Sequence, residues 1–567
     1  MKKRMKRFKN RRTTSTAAIL CMAALLFAVL LAGCSVQKET EASGDQQQET
    51  WSEEMENSTA LSEEPDDTDT IGNADNPEDT GDIGNPENPE DTSTALTLPI
   101  LDEINSKVQI GTSGSSLIAV QAAVKLLEWG EHTGLDPEEI REAASAWLSE
   151  QTDSDREDGD YIVNMVMEEI HKMGIKNITI CASSLGKAHA GLVPYMEDGT
   201  ITGIQSSGVR GEIGKAISEG KLKGLAVMRS HGGRVRAIET GEVHLDIAFI
   251  GAPTCDDYGN CRGIGGKADC GVLSYAMVDA DYADRVVAIT DCLVPFPNFP
   301  AHISMTKVDY VVVVDAIGDP KKIATGAAKP TKDMRKLMMA DYCTRFVTST
   351  PYFKDGFSYQ TGVGGASIAS TISLAKIMKE RGIRMRFGVG GLTKPMCDLL
   401  DNNQVDVLLD TQDFDLDAVE SVKDIRHFRI SAGEYADPFN KGAVVNKLDF
   451  VILAALEVDV NFNCNVVVGS DGVITGAQGG HPDTAAGAKC TIVLTPLLQG
   501  RIPAICTEVT TVTTPGESVD VVITEYGVAV NPLRKDLLEA VKNSGLPLKT
   551  IEELRDLAYR IAGEPEK

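Results

Sequence analysis

A segment of seventeen residues recurs in this chain without a gap, and that repeat constrains the fold more than any other feature. Leu245, Asp246, Ala252, Asp256, Asn260 and Cys261 return as Leu448, Asp449, Ala455, Asp459, Asn463 and Cys464. Each copy opens on an apolar run, and six matches in one register indicate a duplicated domain. From Tyr161 onward, short Val- and Ile-rich runs alternate with helical stretches, the pattern of a mostly parallel sheet covered by helices. Expected strands are Ile178–Cys181, Leu225–Met228, Ile247–Ile250, Val286–Ile289 and Val311–Val314, then Met385–Val389, Val405–Leu409, Phe450–Leu453, Thr491–Leu494 and Val519–Ile523. The cleft between two similar α/β lobes is a common place for a ligand.

The first 155 residues have a different character. Eight Lys and Arg in residues 1–12 precede an apolar stretch from Ala17 to Leu31 and then Ala32-Gly33-Cys34, so residues 1–34 resemble a bacterial lipoprotein signal with Cys34 as the lipidated position. Ser35 to Thr94 holds nineteen acids against the single Lys38 and few large apolar groups, which predicts an acidic disordered linker over 35–95. Within 96–155, Leu117, Val120, Val124 and Leu127 recur at helical spacing, and Asp136-Pro137 opens a second run through Ile140, Ala144 and Trp147. A small helical segment is expected there.

A net charge of −28 argues against nucleic acid as a partner, because no basic surplus is available for phosphates. Ten cysteines lie in the large body, and Cys255, Cys261 and Cys270 lack the paired spacing of a zinc site. Most sit in apolar runs, a usage that fits a reducing cytoplasm and conflicts with the lipoprotein-like start.

Three motifs carry candidate chemistry. Gly362-Val363-Gly364-Gly365-Ala366-Ser367 precedes a long helical run, where freed backbone amides can hold a carboxylate, a phosphate or a developing oxyanion. With no strand expected directly before it and no suitably spaced acid, it does not read as a dinucleotide site. Gly476-Ala477-Gln478-Gly479-Gly480-His481-Pro482-Asp483 adds a histidine and a carboxylate to a turn; the plainer reading is a sharp turn with a capping Asp. His231-Gly232-Gly233-Arg234-Val235-Arg236 offers planar donors suited to a tricarboxylate, although surface charge is the commoner use of such groups. Gly364, Gly365, Gly479, Gly480 and His481 are the candidate catalytic positions; His231, Arg234, Arg236 and Asp483 are the candidate substrate contacts.

The blocks Ala252-Pro253, Gly265-Gly266-Lys267-Ala268-Asp269-Cys270-Gly271 and Tyr275-Ala276-Met277-Val278-Asp279-Ala280 resemble the citrate lyase alpha chain. The likeness continues through Phe357-Ser358-Tyr359-Gln360-Thr361-Gly362, Ala455-Leu456-Glu457-Val458-Asp459, Gly469-Ser470-Asp471-Gly472-Val473 and Val528-Ala529-Val530-Asn531-Pro532. The resemblance implies two tandem coenzyme A transferase-like domains, placed here at 156–340 and 341–567. It implies a beta (lyase) chain and a gamma (acyl carrier) chain as partners, with no cofactor or metal bound directly. The substrate thioester would sit on the carrier's phosphoribosyl-dephospho-coenzyme A arm, and the implied reaction is acetyl carrier plus citrate giving citryl carrier plus acetate.

Many coenzyme A transferases carry a nucleophilic glutamate in a Ser-Glu-Asn-Gly segment. Laid on the second copy, that segment falls on Asp459-Val460-Asn461-Phe462, so Val460 stands in the glutamate position and a direct transfer is expected. At the front the likeness stops near Asp158: the family's earlier strand and histidine-rich segment are missing, and the first domain is expected to lack its first strand. The abrupt change near Arg156 reads as a join of two unrelated coding segments, with a cytoplasmic enzyme behind it. The competing readings are a lipid-anchored surface binding module, and a transferase for another short acid.

Overall fold

The computed structural model describes residues 109–112, 161–319 and 331–564. All of them fall in one compact unit. The signal-like segment, the acidic linker and the helical runs expected at 117–127 and 136–147 lie outside the described residues.

The first lobe is a parallel sheet of seven strands: β1 Gln109–Thr112, β2 Ile178–Ala182, β3 Ile201–Ser206, β4 Leu225–Met228, β5 Ile247–Gly251, β6 Arg285–Thr290 and β7 Tyr310–Val313. Their order is β7-β6-β5-β1-β2-β3-β4. The second lobe repeats it with β8 Phe357–Thr361, β9 Met385–Leu392, β10 Val405–Asp413, β11 His427–Arg429, β12 Phe450–Ala454, β13 Cys490–Leu494 and β14 Val521–Thr524. Read from its far edge the order is β14-β13-β12-β8-β9-β10-β11, so every strand has a counterpart seven labels later. Beyond β14 the second sheet adds β15 Gly527–Val530, antiparallel to it, and β16 Leu548–Lys549.

The repeated residues build the same turn twice. Asp256 accepts hydrogen bonds from the backbone N–H of Asn260 at 2.9 Å and from its side-chain amide at 2.8 Å. Asp459 accepts the same pair from Asn463, both at 3.0 Å. A buried carboxylate that satisfies two donors of one loop holds that loop rigidly, which explains why these residues recur.

Strands β13 and β14 are buried along their whole length and read as continuous apolar runs, as strands covered on both faces must. Strands β3 and β8, with sequences ITGIQS and FSYQT, carry too many polar residues to stand out and were not expected. Two expectations are corrected. The central slot of the first sheet is not missing its strand: Gln109–Thr112, from the segment expected to be helical, pairs in parallel with both β2 and β5. The helix Met334–Ser349 spans the expected boundary at 340, and its Met339, Cys343, Phe346 and Val347 all belong to the second lobe's core.

Candidate active site

The two lobes are stitched by the glycine-rich turn of the second and the histidine-glycine segment of the first. Ser230 caps the helix His231–Thr240, accepting from the Gly233 N–H, and donates its hydroxyl to Asp483 Oδ1 at 2.6 Å. Asp483 Oδ2 accepts from the Gly232 N–H at 3.0 Å. The Gly479 carbonyl accepts from the His231 N–H at 3.0 Å, while the Gly479 N–H donates to the Ser207 carbonyl at 3.1 Å. Gly479 has φ +50, and a Cβ there would come within 3.1 Å of His231 Nε2, so both its backbone and its side-chain space call for glycine.

This seam roofs a cavity of about 170 Å³. Its volume is below the roughly 300–1,000 Å³ of pockets for drug-sized ligands and suits a small acid. His231 and Tyr275 from the first lobe face Gln360, Gly362, Thr411, Tyr435, Gly480 and His481 from the second. The His231 ring lies 4.6 Å from that of Tyr275 and its Nδ1 is 3.0 Å from the Ser207 hydroxyl. Burial, with Arg234 and Arg210 adding to it, lowers its pKa to about 3, so the ring is neutral at physiological pH. Gln360 donates Nε2 to the Tyr435 hydroxyl at 2.8 Å and leaves Oε1 buried without a protein partner. His481 Nδ1 lies 2.7 Å from the Thr514 hydroxyl, and its Nε2 is buried at the cavity, with the Ala454 carbonyl beside the ring as its backbone neighbour. Burial lowers its pKa to about 4. The neutral ring carries its proton on Nε2 in the tautomer that accepts the Thr514 hydroxyl at Nδ1.

Gly362 and Val363 line the cavity, and Gly364 is the N-cap of the long helix Gly365–Arg381. No side chain caps that helix. The N–H groups of its first turn, which have no intrahelical acceptor, are open to an anion. Strand β8 runs directly into this loop, so the strand that sequence analysis found lacking is present. The cavity beside the loop is nevertheless too small for a dinucleotide.

Of the sequence-predicted positions, His231, Gly480 and His481 line the cavity; Gly479, Gly364 and Gly365 shape its walls without lining it. Asp483 is used on the seam instead of the cavity, its pKa raised to about 6 by burial against the bonds from Ser230 and Gly232. Arg234 pairs with the buried Asp279 at 2.8 Å and reaches the Cys181 carbonyl at 3.3 Å, locking its helix to the first sheet. Arg236 lies over the Phe439 ring, 4.2 Å from its centroid. Neither guanidinium lines the cavity. Tyr275, Gln360, Thr411 and Tyr435 were missed, because each is an ordinary core-type residue until strand order brings it to the seam.

A second cavity of about 710 Å³ lies within the second lobe, lined among others by Glu457, Arg501, Cys506 and Tyr559. Val460 lines neither cavity. It sits in the turn closed by Asp459 and packs against the second lobe's core, whereas Glu457, three residues earlier, lines the larger cavity and accepts from the Asn465 side chain and the Thr510 N–H, both at 2.9 Å.

Two lobes of matching strand order meeting at a small polar cavity define a tandem coenzyme A transferase-like protein. A malonate decarboxylase alpha subunit from Acinetobacter baumannii shares this fold at 14% identity, with a TM-score of 0.53 over 70% of this chain and 80% of that one. The family model of the citrate lyase alpha subunit matches residues 153–567, and the chain belongs to that family. It is 48% identical over 410 residues to the citrate lyase alpha chain of Haemophilus influenzae, covering 72% of this chain and 82% of that one. It is 47% identical over 409 residues to that of Klebsiella pneumoniae, covering 72% and 80%. A solved structure from Streptococcus mutans, described as an alpha subunit of citrate lyase in complex with citrate, matches at 46% identity and a TM-score of 0.73, over 82% of this chain and 84% of that one.

Proposed function

We propose that this chain transfers a carrier thioester from acetate to citrate, converting acetyl carrier and citrate to citryl carrier and acetate. The observation that supports it most is the small seam cavity, walled by neutral donors and an uncapped helix start, in a member of this family. A citrate carboxylate oxygen attacks the acetyl carbonyl, the carbon–sulfur bond breaks and the carrier thiolate leaves a mixed anhydride. The thiolate then attacks the citryl carbonyl and acetate departs. The chain's contribution is to orient both acyl groups and to stabilise the oxyanion, with His481 Nε2–H and the first-turn amides after Gly364 as donors. Gln360 Oε1 is available to accept from citrate's hydroxyl. The substrate arm is the carrier chain's phosphoribosyl-dephospho-coenzyme A, and a lyase chain consumes the citryl thioester.

Eight of the ten described cysteines are buried, a core usage that supports a reducing, cytoplasmic setting over an anchored surface module. No helix among the described residues is long and apolar enough to cross a membrane.

The test mixes the full chain with acetylated carrier chain and labelled citrate. Citryl thioester should form, and acetate-to-butyrate exchange that outpaces it would favour a transferase for another short acid. Hydroxylamine or borohydride during turnover should leave this chain unmodified. A trapped acyl group on Glu457 would replace direct transfer by a glutamyl route through the larger cavity while leaving the citrate assignment intact.

A further inference from the structure

We propose that Asp410, Asp413 and His427 form a buried divalent-cation site behind the wall of the seam cavity, taking Zn²⁺ or Mn²⁺. One oxygen of each carboxylate and one imidazole nitrogen lie within 4.8 Å of one another, and all three residues are buried. His427 Nε2 is 3.0 Å from Asp410 Oδ2. Two donors bound at about 2.1 Å and at right angles lie roughly 3 Å apart, so the spacing is that of adjacent ligands.

The surrounding chain holds each side chain from behind. His427 Nδ1 lies 3.0 Å from the Ser421 hydroxyl, the outer contact that fixes the ring of a metal-ligating histidine. Asp410 Oδ1 accepts from the Gln412 N–H at 2.8 Å, and Asp413 Oδ2 accepts from the Val272 N–H at 2.9 Å. Asp413 Oδ1 is fully out of solvent and takes no N–H donor, its polar neighbour being the Asp410 carboxyl. Among the described residues no Lys or Arg pairs with either carboxylate, so the two buried carboxyls have only each other and one imidazole as polar side-chain neighbours. A mixed oxygen and nitrogen donor set suits first-row divalent ions.

The position has a consequence for the cavity. Strand β10 shifts register against β9 between Gly390 and Gly391, leaving Thr411 as the extra residue. Asp410 and Asp413 therefore flank Thr411 and Gln412, which line the cavity. Through Val272, Asp413 also ties the second lobe to the first. A cation here would rigidify one wall and the seam without touching substrate.

The test expresses the full chain in medium supplemented with Zn²⁺ or with Mn²⁺, desalts it into chelator-treated buffer and measures metal per chain by mass spectrometry. One ion per chain is expected, with the melting temperature lowered after chelation, and the ion lost in Asp413→Asn and His427→Gln. Wild-type chain without stoichiometric metal under either supplement overturns the proposal, as does a folded variant that keeps its ion. If neither variant folds, the absorption edge of bound Zn²⁺ decides: oxygen and nitrogen neighbours support the site, and a sulfur-dominated shell assigns the metal to cysteines and overturns it.

Discussion

Gln360 and His481, whose buried polar atoms face the seam cavity, carry the sharpest residue-scale predictions. His481→Asn should lower the transfer rate by on the order of 10²-fold, the usual loss for one oxyanion donor, with a smaller change in KM for citrate. The same residue gives a pH signature. Its native pKa is held by burial near 4 against an ordinary 6.5, so the unfolded chain takes the proton first as pH falls. Stability from this group is complete above pH 6.5 and is lost progressively toward pH 4, by roughly 3 kcal/mol in all. Asp483, raised to about 6, acts in the opposite sense below that pH, so the comparison to make is urea unfolding of wild type against His481→Asn at pH 7.5 and pH 5. A pH dependence identical in both would refute the assignment. Arg234 belongs to the core rather than to substrate. Arg234→Ala should destabilise by about 3–5 kcal/mol because Asp279 is left buried and unpaired, whereas Arg236→Ala should cost under about 1 kcal/mol and leave KM unchanged.

At the scale of elements, the helix Gly365–Arg381 has given up a cap. Gly364 has φ −68, and a Cβ there would touch only the Ser367 hydroxyl at 3.9 Å, so a side chain is sterically welcome. Gly364→Asp should therefore stabilise the chain by up to about 1 kcal/mol through its carboxylate cap. The same charge would occupy the amides offered to an anionic substrate and repel it, so KM for citrate should rise at least about tenfold. A thermal melt and a citrate titration on one preparation check both halves. Gains in stability and in citrate affinity together would show that this helix start does not face the acid. The bulge in β10 adds Thr411 between β9 and β11, and Thr411 and Gln412 line the cavity.

For the whole molecule the decisive contact is Asp483, where one carboxylate from the second lobe caps a helix of the first. Asp483→Ala leaves the Ser230 hydroxyl and the Gly232 N–H without their acceptor, at about 1–3 kcal/mol for each buried group. Hydrogen exchange should rise at 231–236 and at 479–484 while the cores around Ile180 and Phe450 stay protected. Uniform deprotection of both lobes would show that they do not open at this seam.

How much of this was legible in the residues follows from distance along the chain. The repeat, the lobes and strands such as β5, β6, β12 and β13 rest on local apolar runs that a parallel sheet demands of its interior, and they were readable in advance. So were the glycine turns, since a glycine at φ +50 leaves its mark on sequence. Strands β3 and β8 were hidden by polar residues, and β1 by its short length and by the strong helical periodicity that follows it. The site itself was only half visible. His481 and Gly480 announce themselves in a motif, but Gln360, Tyr275 and Tyr435 lie far apart in sequence. They meet because β8 sits between β9 and β12 and because a helix of the first lobe docks on the second. Arginines at 234 and 236 looked equivalent as charges, and only packing sent one to a buried aspartate and the other to a phenyl ring. Local composition sets what each segment can become; which donors face an empty polar space is decided by strand order and lobe contact, because burial and partnering are properties of the assembled chain.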